Sequence, residues 1–133
     1  VMQNKGVRTP EEYVVDGDYS VSAGYEGLQR LWRLDRKPSA VVCANDYMAI
    51  GVMKAAVQLG LTVPEDLSVV GFDDADVSVY LPVSLSTVRV PLLEIGARAG
   101  KRIHELLSLG STIPLDVLIS EYVERASVGA GPG

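Results

Sequence analysis

Residues 40–46 read Ala40-Val41-Val42-Cys43-Ala44-Asn45-Asp46, and residues 67–74 read Leu67-Ser68-Val69-Val70-Gly71-Phe72-Asp73-Asp74. Each is a short, largely apolar run that stops on a pair of polar residues. Runs that are apolar without alternation suit strands buried on both faces of a parallel sheet. Between them, Asn45-Asp46 can cap a helix over Tyr47 to Leu59. Gly60 stands where a helix end takes a left-handed residue. Pro64-Glu65-Asp66 then turns the chain into the second run. A strand, a helix and a second strand in this order form a crossover unit, which makes the two strands parallel.

Upstream, Tyr13-Val14-Val15 is a β-prone run ending in the turn Asp16-Gly17-Asp18. Ser20 or Ser22 can cap the next helix, whose apolar stripe is Leu28, Leu31 and Trp32. Pro38 separates that helix from residues 40–44. Downstream, Leu85 to Val90 reads as extended and is stopped by Pro91. A third helix is expected over Leu92 to Leu109, with Leu92, Ile95, Ala99, Ile103, Leu106 and Leu107 on one face. Glu94 and Arg98 support it as an i,i+4 pair, and Gly110 ends it. A last strand is expected over Val117 to Val123. The fold class is α/β, a parallel sheet flanked by helices. The chain starts at Val1 rather than Met, and Val1 to Gly6 reads like the last turns of a helix whose start lies earlier. Residues 127–133, with Gly129-Ala130-Gly131-Pro132-Gly133, read as a flexible tail.

Hydrophobic residues make up 47% and charged residues 22% of the 133, the balance of a chain with a packed interior. The net charge of −5 argues against this segment gripping nucleic acid, which needs clustered Lys and Arg. No apolar run approaches the ~20 residues of a membrane span, and no signal-peptide pattern opens the chain. With one cysteine, Cys43, there is neither an internal disulfide nor a Cys-rich zinc site. Cys43 sits in an apolar run and reads as an inert thiol. The one histidine, His104, falls mid-helix beside Arg102 and Glu105 and reads as a surface residue. No hydrolase elbow, metalloprotease helix or phosphate loop occurs. Neither an enzyme nor a cofactor is implied.

In open parallel sheets, ligands bind beyond the carboxyl ends of the strands. Three such ends carry polar groups here: Asp16, Asp18 and Tyr19; Asn45 and Asp46; Asp73 and Asp74. Carboxylates and an amide suit the hydroxyls of a sugar or polyol, and Tyr19 offers a flat face to a ring. The plainer alternative is that these are caps and turn formers. Asp73, Asp74 and Asp76 could hold Ca²⁺ or Mg²⁺, but adjacent carboxylates after a strand more often cap, so no metal site is expected. A phospho-acceptor receiver would need further acidic and Lys partners that cannot be placed.

The second helix is too apolar for a simple surface helix: past its first turn only Lys54 and Gln58 are clearly polar. One face packs on the sheet. The other, with Tyr47, Ile50, Met53 and Val57, suits a second copy of the protein, the alternative being burial within the chain.

Two longer stretches carry a family resemblance. Ala44-Asn45-Asp46-Tyr47-Met48-Ala49-Ile50-Gly51 and Gly60-Leu61-Thr62-Val63-Pro64-Glu65-Asp66-Leu67-Ser68-Val69-Val70-Gly71-Phe72-Asp73-Asp74 strongly resemble LacI/GalR transcription regulators. Gly17-Asp18-Tyr19-Ser20 with Ser22-Ala23-Gly24-Tyr25 resembles the family's preceding strand, turn and helix. Ser86-Thr87-Val88-Arg89 with Ile95-Gly96 resembles its later crossover. The resemblance covers nearly the whole chain in the right order.

It implies one lobe of a two-lobed, periplasmic-binding-protein-like type I sensor, cytoplasmic and usually dimeric, with an effector between the lobes. Residues 1–126 would be the C-terminal lobe, and residues 91–110 a helix that belongs to the other lobe. Operator DNA would be met only through a helix-turn-helix head absent from this chain. By position, Tyr19 resembles the aromatic lying against the effector, and Asn45 and Asp73 resemble polar contacts to it. Asp18 and Asp46 would support them, Asp46 as cap. Val90 stands where some members carry a polar contact, which speaks against a lactose-like ligand. A transporter's periplasmic sugar-binding protein shares the fold and is the alternative. The apolar second helix and the Val63–Ser68 stretch favour the regulator.

Overall fold

A computed structural model describes residues 10–110 and 117–130. The chain-start helix remnant and the last tail residues lie outside that range. The elements run α1 (Val21–Leu31), β1 (Ala40–Val42), α2 (Asp46–Gln58), β2 (Ser68–Val70), β3 (Thr87–Arg89), α3 (Leu92–Leu109) and β4 (Glu121–Val123). β1 and β2 pair in parallel with Val41 opposite Val69. Beyond β2 the chain meets β3, also in parallel, at Val70–Ser86 and Asp73–Arg89. β4 closes on β3 antiparallel, with Val88 opposite Tyr122. The α/β class and the parallel crossover are as expected.

The helices form where their caps say they should. Ser20, not Ser22, caps α1, its hydroxyl accepting from Ala23 N–H at 3.1 Å. Asn45 caps α2, its Oδ1 accepting from Met48 N–H at 2.8 Å. Asp46 is the first helical residue and not the cap. α3 spans the expected range and ends on Gly110 at φ 61°.

The interior lies between α1, α2 and β1–β2: Leu28, Ala49, Val52, Ala55, Ala56, Leu67, Val69 and Leu85 are buried together. α1 and α2 cross at two glycines. A Cβ on Gly24 would lie 1.9 Å from Met48 O, and one on Gly51 1.9 Å from Val21 O. The helices thus touch backbone to backbone, an approach closed to residues with a side chain there. This crossing accounts for part of the apolar character of α2: one of its faces is covered within the chain by α1 and the sheet.

Four expectations need correction. Tyr13-Val14-Val15 is no strand: Glu11–Tyr13 forms a 3-10 turn, with the Tyr13 hydroxyl donating to Arg36 O at 2.8 Å. Residues 40–44 are buried on one face only. Cys43 is buried and Val41 half-buried on that side, but Val42 points the other way and is 70% exposed. Ser127 is not part of a loose tail. It is fully buried: its hydroxyl donates to Val69 O at 2.6 Å and accepts from Ser86 N–H at 2.8 Å. Val69 N–H donates to Ser127 O at 2.8 Å. The glycines around Ser127 suggest looseness, but buried sheet groups need partners and recruit it. The expected last strand is also shorter, Glu121–Val123.

Candidate functional site

The carboxyl ends of the strands form one polar edge. Cys43 N–H donates to Val70 O at 2.8 Å and Asp46 N–H to Phe72 O at 2.9 Å, so the end of β1 lies beside the end of β2. Asn45 Nδ2 donates to Tyr19 O at 3.0 Å, which ties the turn before α1 to the same edge. Tyr19, Asn45 and Asp73 are therefore brought together by backbone and cap bonds. Tyr19 is 65% exposed and Asp73 is exposed, both open to a ligand.

Among the described residues, the non-glycine residues at positive φ are Tyr19 (66°), Asp73 (108°) and Asp74 (57°). All three lie on this edge. Such conformations cost energy and persist where surrounding contacts over-determine them, characteristically at ligand sites.

Asn45 serves first as a clamp, because its amide oxygen caps α2 while its nitrogen holds Tyr19. One amide hydrogen and one oxygen lone pair remain for a ligand. Asp18 binds Ser20 through both its backbone N–H (3.1 Å) and its hydroxyl (2.5 Å). These bonds, the hydroxyl's above all, hold the Asp18 carboxyl below the usual range.

Asp46 is fully buried and is the hub beneath the edge. Its Oδ2 accepts from Ala75 N–H and Ser78 Oγ, each at 2.7 Å, and its Oδ1 from Thr87 Oγ1 at 2.6 Å. Gly71 makes room for it: a Cβ there would lie 2.1 Å from Asp46 Oδ1. Although Asp73 is exposed, desolvation by the groups beside it, and then the charge of Asp46, raise its carboxyl. Cys43 is pushed up to about 12 by burial and then by Asp46, so it stays a thiol at neutral pH, as expected.

Sequence reading missed the ion network around Asp74. Arg125 Nη2 meets Asp74 Oδ1 at 2.5 Å and Arg89 Nε meets Asp74 Oδ2 at 2.7 Å. Burial raises the Asp74 carboxyl, but the bonds and charges of Arg125 and Arg89 outweigh it and the net shift is downward. With both oxygens engaged by guanidinium groups, Asp74 is not arranged as a cation ligand. No group of three metal-ligating side chains occurs among the described residues. Nothing local marks Arg125 in sequence, since it lies in the stretch after β4.

The surface of α2 expected to meet a second copy is in part open. Tyr47 is 53% and Val57 76% exposed, while Ile50 and Met53 are half-buried and Met53 packs on the interior. No helix of the described residues is long and apolar enough to cross a membrane.

Residues 1–128 match the periplasmic binding protein-like domain family. The chain belongs to that family. It is 41% identical to the Probable HTH-type transcriptional repressor ExuR of Bacillus subtilis (strain 168) over 118 residues, 88% of this chain and 35% of that protein. It is 31% identical to the HTH-type transcriptional repressor PurR of Escherichia fergusonii over 132 residues, 98% of this chain and 39% of that one. A solved sugar-binding transcriptional regulator of the LacI family from Escherichia coli, complexed with phosphate, superposes with a TM-score of 0.86 at 33% identity. That match covers 96% of this chain and 46% of the other. The resemblance to LacI/GalR regulators is borne out by these relatives, which are named as transcriptional repressors and regulators. The chain spans less than half the length of each.

Proposed function

We propose that this chain is the effector-sensing part of a LacI/GalR-type transcription regulator. It binds a small, hydroxyl-rich or heterocyclic ligand, sugar-like or nucleoside-like, at the edge formed by Tyr19, Asn45 and Asp73. The observation that carries the reading is the concentration of strained left-handed residues, Tyr19, Asp73 and Asp74, on the edge where sheets of this type take ligands. Tyr19 supplies an exposed ring to stack on. Asp73 supplies an acceptor for hydroxyl or N–H donors. Asp18 and Asp46 hold the turns that carry them.

In this reading the effector lies in a cleft between two lobes, with α3 belonging to the second. A homodimer forms over the partly open face of α2 that carries Tyr47, Ile50, Met53 and Val57. Operator DNA is met by a helix-turn-helix head elsewhere in a cytoplasmic protein. Effector binding favours one lobe arrangement, and the dimer passes that bias to the heads. The likeness to HTH-type repressors supports this over a transporter's binding protein.

A thermal-shift screen of the full-length protein against sugars, sugar phosphates, nucleosides and purines tests it. One compound class is expected to raise the melting temperature, and Tyr19→Ala and Asp73→Ala are each expected to abolish that rise. Full affinity retained in both variants would refute the site.

A further inference from the structure

The turn at Asp73–Asp74 is held at several points by groups behind its exposed edge. Asp73 N–H donates to Val88 O at 2.9 Å, and Ala75 N–H donates to Asp46 Oδ2 at 2.7 Å. Between these anchors, Asp74 N–H makes a long bond to Thr87 Oγ1 at 3.4 Å, and its carboxylate is gripped by two arginines. Its two arginines differ. Arg89 has a side chain 51% exposed and also reaches Glu121 at 3.5 Å. Arg125 has a side chain 14% exposed. Its Nη2 holds Asp74, its Nη1 donates to Leu85 O at 2.7 Å, and its backbone N–H donates to Ser86 Oγ at 2.9 Å. Both arms of the guanidinium fork are therefore engaged, and the group cannot swing from Asp74 without also stripping Leu85 O.

We propose that Arg125 is a positioning residue of the sensing edge. By clasping Asp74 it keeps the Asp73–Asp74 backbone left-handed, the conformation that presents Asp73 at the edge. This rests on the reading of Asp73 as an effector contact. Two consecutive non-glycine residues at positive φ do not hold themselves there, because the Cβ atoms oppose it. The carboxylate of Asp74 is the handle by which the fold opposes that tendency, and Arg125 is its most enclosed partner. Arg125 follows β4, so the chain just beyond the last strand reaches back to the sensing edge through this side chain.

Amide hydrogen exchange of the full-length protein, read residue by residue by NMR, tests the clasp without any ligand. Its outcome is therefore separate from that of the effector screen. Arg125→Met is expected to speed exchange of the Asp73 and Ala75 amides about tenfold while the Cys43 amide, bonded to Val70 O, is spared. Adding Asp74→Gly is expected to return both amides to within about threefold of wild type, because glycine takes positive φ freely and leaves no unpaired carboxylate. General glue between β4 and the sheet would not be rescued that way. Arg125→Lys keeps the charge but not the fork, and is expected to show the same local pattern at about threefold. It gives the reading if Arg125→Met unfolds the chain. Unchanged exchange at Asp73 and Ala75, equal acceleration at Cys43 in the lysine variant, or no rescue by Asp74→Gly would overturn the proposal.

Discussion

Helix α1, in the α1–α2–β1–β2 body, and helix α3, in the α3–β4 arm, are similarly amphipathic but have different surroundings. In the body, the apolar residues of α1 and α2 find each other and the sheet, and Leu28 is fully buried. In the arm, α3 carries an equally clear apolar stripe, yet Leu92, Ile103, Leu106 and Leu107 are exposed, Leu107 by 81%. Amphipathic periodicity thus defines a helix and its sticky face without saying what covers that face. Covering of the α3 stripe by the second lobe belongs to the proposed function.

Matched substitutions in the two regions sharpen this contrast. The largest effect is expected at the helix crossing. Gly51→Ala puts a Cβ against Val21 O, a backbone atom, and forces the helices apart, costing about 3 kcal/mol or more in urea unfolding. Leu28→Ala is next, at about 2–5 kcal/mol for a fully buried leucine. The same change at Leu107 is expected to cost less than about 0.5 kcal/mol on this chain. Equal costs at Leu28 and Leu107 would mean that the arm is packed after all. Light scattering tests the stripe itself: the chain alone is expected to self-associate or bind an apolar dye through α3. A dye-silent monomer would contradict its exposure. The smallest effect is a gain. Gly96→Ala, with nothing within 4 Å of the added Cβ, is expected to stabilise the chain by up to about 1 kcal/mol.

Acid probes the polar edge. The Asp74 carboxyl lies below its ordinary value of 3.8, so its contribution to stability is full above that value and is lost as pH falls through the folded, lowered one. Asp73 is raised, so its ionisation costs stability, and that cost is relieved as pH falls through its raised value. Asp74→Asn is therefore expected to reduce acid sensitivity below about pH 4, and Asp73→Asn to raise stability slightly at neutral pH, both read by urea midpoints across pH.

Much of the fold was legible in the sequence because its signals are local. Asn45 is a cap because its side chain meets Met48, three residues on, and Gly110 ends α3 for an equally local reason. The polar strand ends were legible too, since parallel topology alone predicts where they gather. What escaped depended on distant partners. Asp46 looks like a cap until Thr87 and Ser78 arrive from later in the chain to surround it. Ser127 sits among glycines but completes hydrogen bonds of Val69 and Ser86. Tyr13–Val15 has β-prone residues without a paired strand, which shows that side-chain preference needs a partner to become a strand.

The most direct test of the sensing edge is isothermal titration of the full-length protein with the sugar or nucleoside giving the largest thermal shift, wild type beside Asp73→Ala. Saturable one-site binding by the wild type, weakened about a hundredfold or more by the substitution, is the expected result. Equal affinity in the two proteins would contradict an effector site at this edge.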